Sequence, residues 1–595
     1  MNILGISCYY HDSAAALLRD GELVAASMEE RLTRKKHDNG FPAQAIDFCL
    51  KQGGINGPDL DYVVFYEKPM VKIGRILQTA LGTFPRSWDF WREAVTAYVS
   101  EKFWIKSKLQ THLGVRAEQI LFCDHHMSHA ASAFFASPFE DAAVITVDGV
   151  GEWTTTTMGH ATANWNGNGE NKIDLFWEQR FPHSIGLLYS AFTAFLGFRV
   201  NNGEYKVMGM SPYGEPRYVD KVKQVIALNS DGSFHLNMDY FSYHYSAEHS
   251  YNDRFLKLFG EPRIHSSDFF TAKSDPSRTG ETEALERNQY YADIAKSIQV
   301  VTEEALINMA NAVHARTGSK KLVMAGGVAL NSVANYKILQ QTPFEEIYIQ
   351  PASGDDGGAL GAALWAYHLV LGQPRKMVMT HTYYGQEYGD DQIRAFLDSE
   401  GIPYEHFADD DKLLDRVVDA IVDQQVVSIF QGRYEWGPRA LGNRSILADP
   451  RRTEMKDIVN TKIKFREPFR PFAPVVLKER AGEFFDFPNV ADSLPPRFML
   501  MVSPVKEDKL GVAQATTHEG GTGRLQTIDH DTNPRYYEVV RRFGEATGVP
   551  ILLNTSFNLR GEPIVGSPAD AWWTFRNSGI DHLMIGSFLV SKNSE

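Results

Sequence analysis

The sequence predicts an α/β protein built from two large domains, and three strand-containing segments support this fold class. The first segment starts the chain: Met1 to Ser7 alternate as a strand, and a hairpin with Asp20-Gly21 at its turn follows. In the second, a buried strand from Ala142 to Val147 ends in Asp148-Gly149 and a Thr-rich strand follows. The third, KKLVMAGGVALNSVANYKILQ, predicts a buried strand that runs through Gly326-Gly327 into a helix.

Two strand–turn–strand units that each place a polar residue at a strand end are used by actin-like ATPases and sugar kinases to surround nucleotide phosphates. The glycines at 326 and 327 fit this interpretation, because a backbone without a Cβ lets adenosine or phosphate approach its N–H groups. Ordinary hairpins and a tight βα turn have the same local pattern. Both interpretations therefore stay open on these segments alone.

Helical periodicity and a change of composition predict the domain organisation. Residues 285–316 are expected to form one helix, and GGALGAALWAYHLVLG a second helix whose small residues pack closely against neighbours. Residues 371–391 contain Pro and Gly and have no period, which is typical of an interdomain boundary. We therefore expect domains at 1–370 and 392–595, with a linker at 371–391.

Composition excludes several classes of protein. Of 595 residues, 60 are Lys or Arg and 74 are Asp or Glu, so the net charge of −14 provides no global field for nucleic acid. Cys8, Cys49 and Cys123 have no CxxC spacing, which argues against a disulfide framework and a thiolate zinc site. No signal peptide or membrane span is apparent. We expect a cytoplasmic protein without nucleic-acid or membrane partners.

A candidate metal site combines two histidines and two aspartates. His125 and His129 are spaced i,i+4 and therefore share one helical face. Asp148 and Asp355 both lie in glycine-flanked turns, where a carboxylate faces a cavity. Such a nitrogen and oxygen set suits Fe²⁺ or Mn²⁺ rather than a metal that prefers sulfur. The alternative is that the histidine pair serves packing or capping.

His11 and Asp12 directly follow the first predicted strand. A histidine at that position can act as a general base near neutral pH, and its alternative role is to cap a turn. The residues around them support both roles equally.

The second half of the chain concentrates basic residues among Gly, Pro and aromatic residues rather than among Glu, which favours an anion pocket over a solvated charged face. Guanidinium and ammonium groups bind phosphate and carboxylate oxygens. Further along the chain, Arg524 and the amide and hydroxyl groups of Asn554, Thr555 and Ser556 are candidates to orient a small planar group and a ribose. The basic residues of the cluster are Arg433, Arg439, Arg444, Lys464, Arg466 and Arg470.

With these residues in view, the chain resembles the O-carbamoyltransferases that modify antibiotics and nodulation factors. The matching strings run in order from residue 11 to residue 565 and are specific as a set. They are HDSAAALL, EERLTRKKH, HHMSHAASAF, VDGVGE, KVMGMSPYG, AGGVALN, GDDGGALGAA, GPRALGNRSIL, REPFRPFAP and LNTSFNLRGEPIV.

The resemblance implies an N-terminal domain similar to the actin-like-ATPase fold of tRNA threonylcarbamoyl transferases. It also implies a C-terminal α/β domain similar to the synthase that forms their acyl-adenylate. The implied chemistry has two steps: carbamoyl phosphate and ATP, with Mg²⁺, give carbamoyl-adenylate, and the carbamoyl group then passes to a hydroxyl of a small natural product. A homodimer is one possible assembly.

The resemblance also assigns roles to individual residues. His11 is the base toward the acceptor, and Asp12, Gly327 and Asn331 belong to the N-terminal substrate site. Asp355 is preferred over Asp356 as a metal ligand. The metal ligands it implies are His125, His129, Asp148 and Asp355, and the carbamoyl-phosphate and ATP site is formed by Arg439, Lys464, Arg470, Arg524, Asn554 and Ser556.

The sequence disfavours three other functions. A sugar kinase does not need the metal-binding histidine pair or the basic second half. A subunit of a tRNA-modifying complex favours a basic outer surface, and a non-catalytic assembly protein can lose the charged pockets. The acceptor alcohol is not predicted: Tyr9 replaces an acidic residue of the tobramycin enzyme, and Trp88, Trp91 and Trp104 either stack on a flat acceptor or belong to the core.

Overall fold

The computed structural model describes residues 1–592, apart from the side chains of residues 97–100. The chain divides into two compact units. Unit 1 comprises Met1–Glu29 and Asn39–Met379, and unit 2 comprises Glu30–Asp38 and the chain from Thr380 onward. The division after Met379 falls within the predicted 371–391 boundary segment.

The assignment of Glu30–Asp38 to unit 2 differs from the prediction of one continuous domain over residues 1–370. Two arginines of this short segment explain the difference. Arg31 donates to the carbonyl of Gly437 at 2.7 Å, and Arg34 donates to the carbonyl of Ile564 at 2.6 Å. These contacts join residues more than 400 positions apart, so local sequence patterns did not indicate them.

Unit 1 contains two five-stranded sheets and a two-stranded ribbon. Its strands, in chain order, are β1 (Asn2–Ser7), β2 (Ala14–Arg19), β3 (Glu22–Met28), β4 (Tyr62–Phe65), β5 (Ile120–Phe122), β6 (Asp141–Val147), β7 (Thr154–Thr162), β8 (Lys172–Arg180), β9 (Ile226–Leu228), β10 (Phe234–Leu236), β11 (Lys321–Ala325) and β12 (Glu346–Ile349).

The two sheets of unit 1 repeat one topology. The first has the order β3-β2-β1-β4-β5 and the second the order β8-β7-β6-β11-β12. In each sheet, the first three strands of the chain are antiparallel, and the next two strands run parallel to the first strand of that sheet. This duplication is the architecture of the actin-like ATPases, so the predicted fold class of the N-terminal part is confirmed. The predicted hairpin turn at Asp20-Gly21 is also present, and both residues have positive φ, as a tight hairpin turn requires.

The helix expected at 285–316 spans Thr282–Thr317, and the one expected in GGALGAALWAYHLVLG begins at Asp355. The α-helices of the first 370 residues are separated by strands, loops and short 3₁₀ turns. In chain order they are α1 (Glu30–Thr33, in unit 2), α2 (Ala43–Gly53), α3 (Pro69–Thr83), α4 (Trp88–Ser100), α5 (Ile105–Leu113), α6 (His125–Phe134), α7 (Ile185–Phe195), α8 (Glu204–Met210), α9 (Val219–Val225), α10 (Asp253–Phe259), α11 (Thr282–Thr317), α12 (Ser332–Gln341) and α13 (Asp355–Trp365).

Small residues let α13 lie against both α6 and β1. A Cβ on Gly361 would lie 1.8 Å from the carbonyl oxygen of Ser128 in α6, and a Cβ on Gly5 would lie 1.8 Å from the carbonyl oxygen of Ala359. No larger side chain fits either contact without moving backbone. The close approach predicted from GGALGAA is therefore observed, and it brings the start of α13 to the start of α6.

Unit 2 is built on an eight-stranded mixed sheet, which agrees with the predicted α/β class. The strand order is β13-β22-β21-β14-β15-β20-β16-β19, and β17 and β18 form a separate ribbon. The strands are β13 (Glu405–His406), β14 (Val427–Phe430), β15 (Arg444–Ala448), β16 (Ala473–Leu477), β17 (Val502–Pro504), β18 (Thr522–Arg524), β19 (Gln526–Ile528), β20 (Ile551–Ser556), β21 (His582–Ile585) and β22 (Phe588–Ser591).

Helices cover both faces of this sheet, so alternate strand residues enter two separate cores. In β15, Ile446 and Ala448 belong to one core and Leu447 to the other. The helices are α14 (Asp390–Ser399), α15 (Asp410–Val422), α16 (Glu454–Ile458), α17 (Ala481–Phe484), α18 (Pro534–Thr547) and α19 (Pro568–Arg576). Among the described residues, none of the helices combines the length and hydropathy of a membrane span.

Candidate active sites

Three elements of unit 1 bring the four predicted metal ligands together. His125 and His129 lie one turn apart on α6, Asp148 directly follows β6, and Asp355 is the first residue of α13. All four residues are buried. The close packing of α13 on α6 therefore places a carboxylate beside the histidine pair.

The ligand atoms of the four side chains all lie within 4.8 Å of one another. The Nε2 atoms of His125 and His129 are 3.1 Å apart, and His125 Nε2 is 3.2 Å from Asp148 Oδ2 and 3.7 Å from Asp355 Oδ1. His129 Nε2 is 3.9 Å from each of the same carboxylate oxygens. Ligands about 2.1 Å from one ion lie about 3.0 Å apart when adjacent and about 4.2 Å apart when opposite. The observed distances fit one divalent ion.

The second oxygen of each carboxylate is held by another group. Asp148 Oδ1 accepts the backbone N–H of Gly327 at 2.8 Å, and Asp355 Oδ2 accepts the hydroxyl of Tyr66 at 3.3 Å. Such outer contacts fix the direction in which a carboxylate presents its remaining oxygen. The donor set contains nitrogen and oxygen but no thiolate, so it suits a divalent ion that does not prefer sulfur, and the choice of Fe²⁺ or Mn²⁺ stays a prediction.

The electrostatics of the cluster favour the protonation state that a metal requires at His129 and Asp148 but not at His125 and Asp355. Although burial opposes it, the hydrogen bond with Asp148 and the charges of Asp355 and Asp148 raise the pKa of His125. Burial and the charge of His125 lower the pKa of His129 to about 3, which keeps its imidazole neutral. Although burial opposes it, the hydrogen bond with His125 and the nearby histidines lower the pKa of Asp148. Burial and the charge of Asp148 raise the pKa of Asp355, and a cation at the site would stabilise its ionised form.

His11 and Asp12 form a close pair beside this cluster. His11 Nδ1 is 2.6 Å from Asp12 Oδ2, and His11 Nε2 is 2.5 Å from the carbonyl oxygen of Asn201. Burial lowers the pKa of His11, but the hydrogen bond and charge of Asp12 and the Asn201 carbonyl outweigh it and raise the pKa to about 10. Both ring nitrogens therefore donate, and the structure holds His11 as an imidazolium. The predicted base role requires that Nε2 first leave the Asn201 carbonyl and lose its proton.

The glycine turn expected to hold the adenylate is close to the metal cluster. Gly326 has φ of +94°, and a Cβ there would lie 2.3 Å from the Val147 carbonyl oxygen, so only glycine fits. Asn331 caps α12 by accepting the N–H of Ala334 at 3.2 Å and exchanges hydrogen bonds with Gln299. Its capping role is thus observed, and its role toward a nucleotide stays a prediction.

In unit 2, three of the predicted arginines lie close enough to affect one another. Burial and the charges of Arg439 and Arg470 lower the pKa of Arg524. The side chain of Arg524 forms no hydrogen bond or ion pair within the described residues, and its buried Nε has no partner there. Arg470 is 3.6 Å from Glu467, which is also the partner of Arg560. Neighbouring guanidinium groups are an arrangement that binds an anion with several oxygens.

Lys464 and the end of β20 adjoin these arginines. Lys464 Nζ donates to the carbonyl of Ser556 at 2.5 Å and to Oδ1 of Asn558 at 2.7 Å. Burial and the charges of Arg466 and Arg470 lower the pKa of Lys464. The amide of Asn554 donates to Gln526 at 2.6 Å, while its buried Oδ1 has no hydrogen-bond partner in the part of the chain described.

Two arginines of the predicted basic cluster have a structural role instead. Arg444 is fully buried, donates to the carbonyl of Gln431 at 2.5 Å and stacks over Phe430. Arg433 donates to the carbonyls of Tyr384 and Gly385 at 2.5 and 2.9 Å. Their carbonyl partners, rather than their spacing in the sequence, distinguish them from the three arginines that are predicted to bind an anion.

Several residues near the sites were not predicted from sequence. Tyr66 holds Asp355, Glu152 accepts the backbone N–H of His125 at 3.1 Å, and the Asn201 carbonyl contacts His11. Glu152 lies in the matching string VDGVGE, which is the one signal that pointed to it. A backbone carbonyl leaves no signature in the sequence.

Comparisons with known proteins identify the family of the chain. The model of the carbamoyltransferase N-terminus matches residues 2–364, and the model of the carbamoyltransferase C-terminus matches residues 418–592. Together the two models cover most of the chain, and the protein is an enzyme. The chain belongs to the carbamoyltransferase family.

Two of the relatives align over nearly the full chain, and a third aligns over part of it. Uncharacterized protein sll1178 of Synechocystis sp. is 44% identical over 629 residues, covering 100% of this chain and 97% of that protein. Nodulation protein NolNO of Sinorhizobium fredii is 36% identical over 592 residues, covering 98% and 80%. The 3'-hydroxymethylcephem-O-carbamoyltransferase of Streptomyces clavuligerus is 33% identical over 249 residues, covering 42% of this chain and 44% of that protein.

Proposed function

We propose that this enzyme is an ATP-dependent O-carbamoyltransferase that forms carbamoyl-adenylate in unit 2 and transfers its carbamoyl group to an alcohol in unit 1. The observation that carries this proposal is the presence of two chemically different sites. Unit 1 holds a buried set of nitrogen and oxygen ligands, and unit 2 holds converging guanidinium groups. An anion-activating step and a transfer step each have a matching site.

In the first step, water and carbamoyl phosphate give carbamate and phosphate. A carbamate oxygen then attacks the α-phosphorus of ATP, and pyrophosphate leaves with the bonding electrons. Arg439, Arg470 and Arg524 bind the phosphate oxygens that gather during this step. Fixed positive groups of this kind stabilise developing negative charge without reorganising, and one such donor typically contributes about 10²–10³ in rate.

In the second step, the acceptor oxygen bonds to the carbamoyl carbon, and AMP leaves with the electrons of the C–O bond. The hydroxyl proton passes to Nε2 of His11 after this nitrogen has left the Asn201 carbonyl and lost its own proton to solvent. Asp12 keeps the imidazole oriented through Nδ1. A divalent ion held by His125, His129, Asp148 and Asp355 would supply positive charge beside the substrate oxygens. Gly327 and Asn331 border the nucleotide.

The acceptor class follows from the relatives. Their names describe a hydroxymethylcephem O-carbamoyltransferase and nodulation proteins. We therefore propose that the acceptor is a hydroxyl of a small natural product.

A panel of hydroxylated metabolites, incubated with labelled carbamoyl phosphate, ATP and Mg²⁺, tests this function. We expect label in one class of alcohol only when ATP is present. The exposed Arg452→Ala variant lies outside the proposed anion site, so it should label the same alcohols as the parent enzyme. Equal labelling without ATP would contradict the adenylate route.

A further inference from the structure

Three buried cations lie together near Tyr10. Lys72 and Arg75 lie three residues apart on α3, and Lys102 follows α4. Their exposed fractions are 4%, 8% and 5%. Charged groups are rarely buried without partners because removing them from water is costly. The partners of these three residues therefore indicate whether the cluster is complete.

One carboxylate serves both lysines. Glu67 is fully buried and lies 2.7 Å from Lys72 Nζ and 2.6 Å from Lys102 Nζ. Burial raises its pKa, but the two ammonium groups outweigh burial and lower the pKa to about 2. Burial lowers the pKa of Lys72 to about 8, with the charges of Lys102 and Arg75 acting in the same direction. The cluster therefore holds more positive than negative charge.

Arg75 has no carboxylate of its own. Within the described residues its guanidinium forms no hydrogen bond or ion pair, and its buried Nη1 has no partner; it lies over the Phe181 ring at 4.9 Å. The other acid that affects it electrostatically is Glu152, whose carboxylate accepts the backbone N–H groups of Lys68 and His125. Arg75 thus keeps donors that no described protein group satisfies.

Tyr10 connects this cluster to the N-terminal site. Lys72 Nζ lies 4.4 Å from the centre of the Tyr10 ring, and His11 is the next residue in the chain. The Tyr10 hydroxyl lies near the metal cluster, because a Cβ on Gly149 would be 3.7 Å from it. Gly149 directly follows Asp148 of that cluster. Tyr10 and Arg75 are close enough to affect the pKa of each other. The unsatisfied guanidinium therefore lies near the region in which we propose that the carbamoyl group is transferred.

We infer that Arg75, with Lys72 and Lys102 beside it, binds an anionic group of a substrate in unit 1, either a phosphate or a carboxylate. This inference rests on the proposed function for the identity of the substrates. A phosphate would come from the adenylate, and a carboxylate from the acceptor. In both cases the oxygens of the ligand accept the donors that Arg75 leaves unsatisfied.

Calorimetric titration with inorganic phosphate, AMP and adenosine tests this site. The comparison is made in an Arg524→Gln background, so that the anion site of unit 2 contributes little heat. Arg75→Gln is the test variant, Arg75→Lys the conservative variant, and Arg92→Gln the matched control, because the Arg92 side chain is 69% exposed on α4. Adenosine carries no charge and reports whether the nucleoside site is intact.

We expect Arg75→Gln to weaken phosphate binding by about tenfold or more, Arg75→Lys to retain part of it, and Arg92→Gln to leave it unchanged. If the adenylate phosphate occupies the site, AMP affinity falls with phosphate affinity, while adenosine affinity stays the same. If an acceptor carboxylate occupies it, AMP affinity is retained and phosphate still binds in the presence of saturating AMP. Unchanged phosphate and AMP affinities in Arg75→Gln would overturn the inference.

A second readout separates binding from folding. Because Arg75 is a buried cation without its own partner, we expect Arg75→Gln not to lower the midpoint of thermal unfolding in the absence of ligand. A large drop in this midpoint together with unchanged anion affinity would assign Arg75 a structural role. None of these measurements requires turnover, so a failure of carbamoyl transfer leaves the result for this site interpretable.

Discussion

His125 and His129 point their Nε2 atoms at each other across 3.1 Å, and both atoms face the carboxylates of Asp148 and Asp355. Their Nδ1 atoms have no hydrogen-bond partner among the residues described. The pair is therefore arranged around a point that all four side chains share. This arrangement favours the proposed metal site over the packing or capping role that the i,i+4 spacing also permits.

The first prediction concerns which aspartate binds the metal. Asp355 and Asp356 are adjacent and both buried, but only Asp355 belongs to the four-residue cluster. We expect Asp355→Asn to lose bound Fe²⁺ or Mn²⁺ because an amide supplies no charge, and the matched variant Asp356→Asn to retain it. Elemental analysis of the purified proteins measures this. Equal metal content in the two variants would remove Asp355 from the ligand set.

The second prediction concerns the packing that places Asp355. We expect Gly361→Ala to destabilise the protein by about 1–3 kcal/mol, since the added Cβ meets the Ser128 carbonyl oxygen at 1.8 Å, and also to lower metal affinity. Gly74→Ala is the control, because nothing lies within 4 Å of its Cβ position in α3. A helical glycine in open space should gain about 0.5–1 kcal/mol on this change. Unfolding in denaturant and metal titration measure both effects.

The third prediction separates the two steps. Arg439→Ala should reduce formation of carbamoyl-adenylate by about 10²-fold or more, because it removes a guanidinium from the phosphate site. Transfer from supplied carbamoyl-adenylate should stay close to the parent rate. The exposed Arg452→Ala serves as control for both assays. Parallel loss of both activities in a folded Arg439→Ala protein would argue against separate sites.

The fourth prediction concerns His11 and pH. A base with a pKa of about 10 is neutral in only about 10⁻³ of molecules at pH 7, so single-turnover transfer should rise with pH in the parent enzyme. Asp12→Asn removes the hydrogen-bonded carboxylate that raises this pKa, and the rise should move to lower pH. His11→Asn should transfer at least about 10²-fold more slowly and without this rise. An unchanged profile in His11→Asn would leave His11 as a turn cap.

The sequence predicted those parts of the sites that depend on local patterns. The spacing of His125 and His129 placed both on one face of α6, and the small residues after Asp355 indicated the close packing that brings it to them. Contacts between distant segments were not predictable. The Asn201 carbonyl that contacts His11 is 190 positions away, and the burial of Arg75 depends on how α3 packs. Charge patterns likewise did not separate Arg444, which serves the core, from Arg524.

The central claim is that ATP is cleaved to form carbamoyl-adenylate before any acceptor is modified. The most direct test is to incubate the enzyme with carbamoyl phosphate and α-labelled ATP, without an acceptor, and to measure phosphate, pyrophosphate and nucleotide products during one turnover. We expect pyrophosphate and phosphate to appear in equal amounts and the label to appear in carbamoyl-adenylate. No pyrophosphate should form when carbamoyl phosphate is omitted. Carbamoylation of an acceptor without release of pyrophosphate from ATP would contradict it.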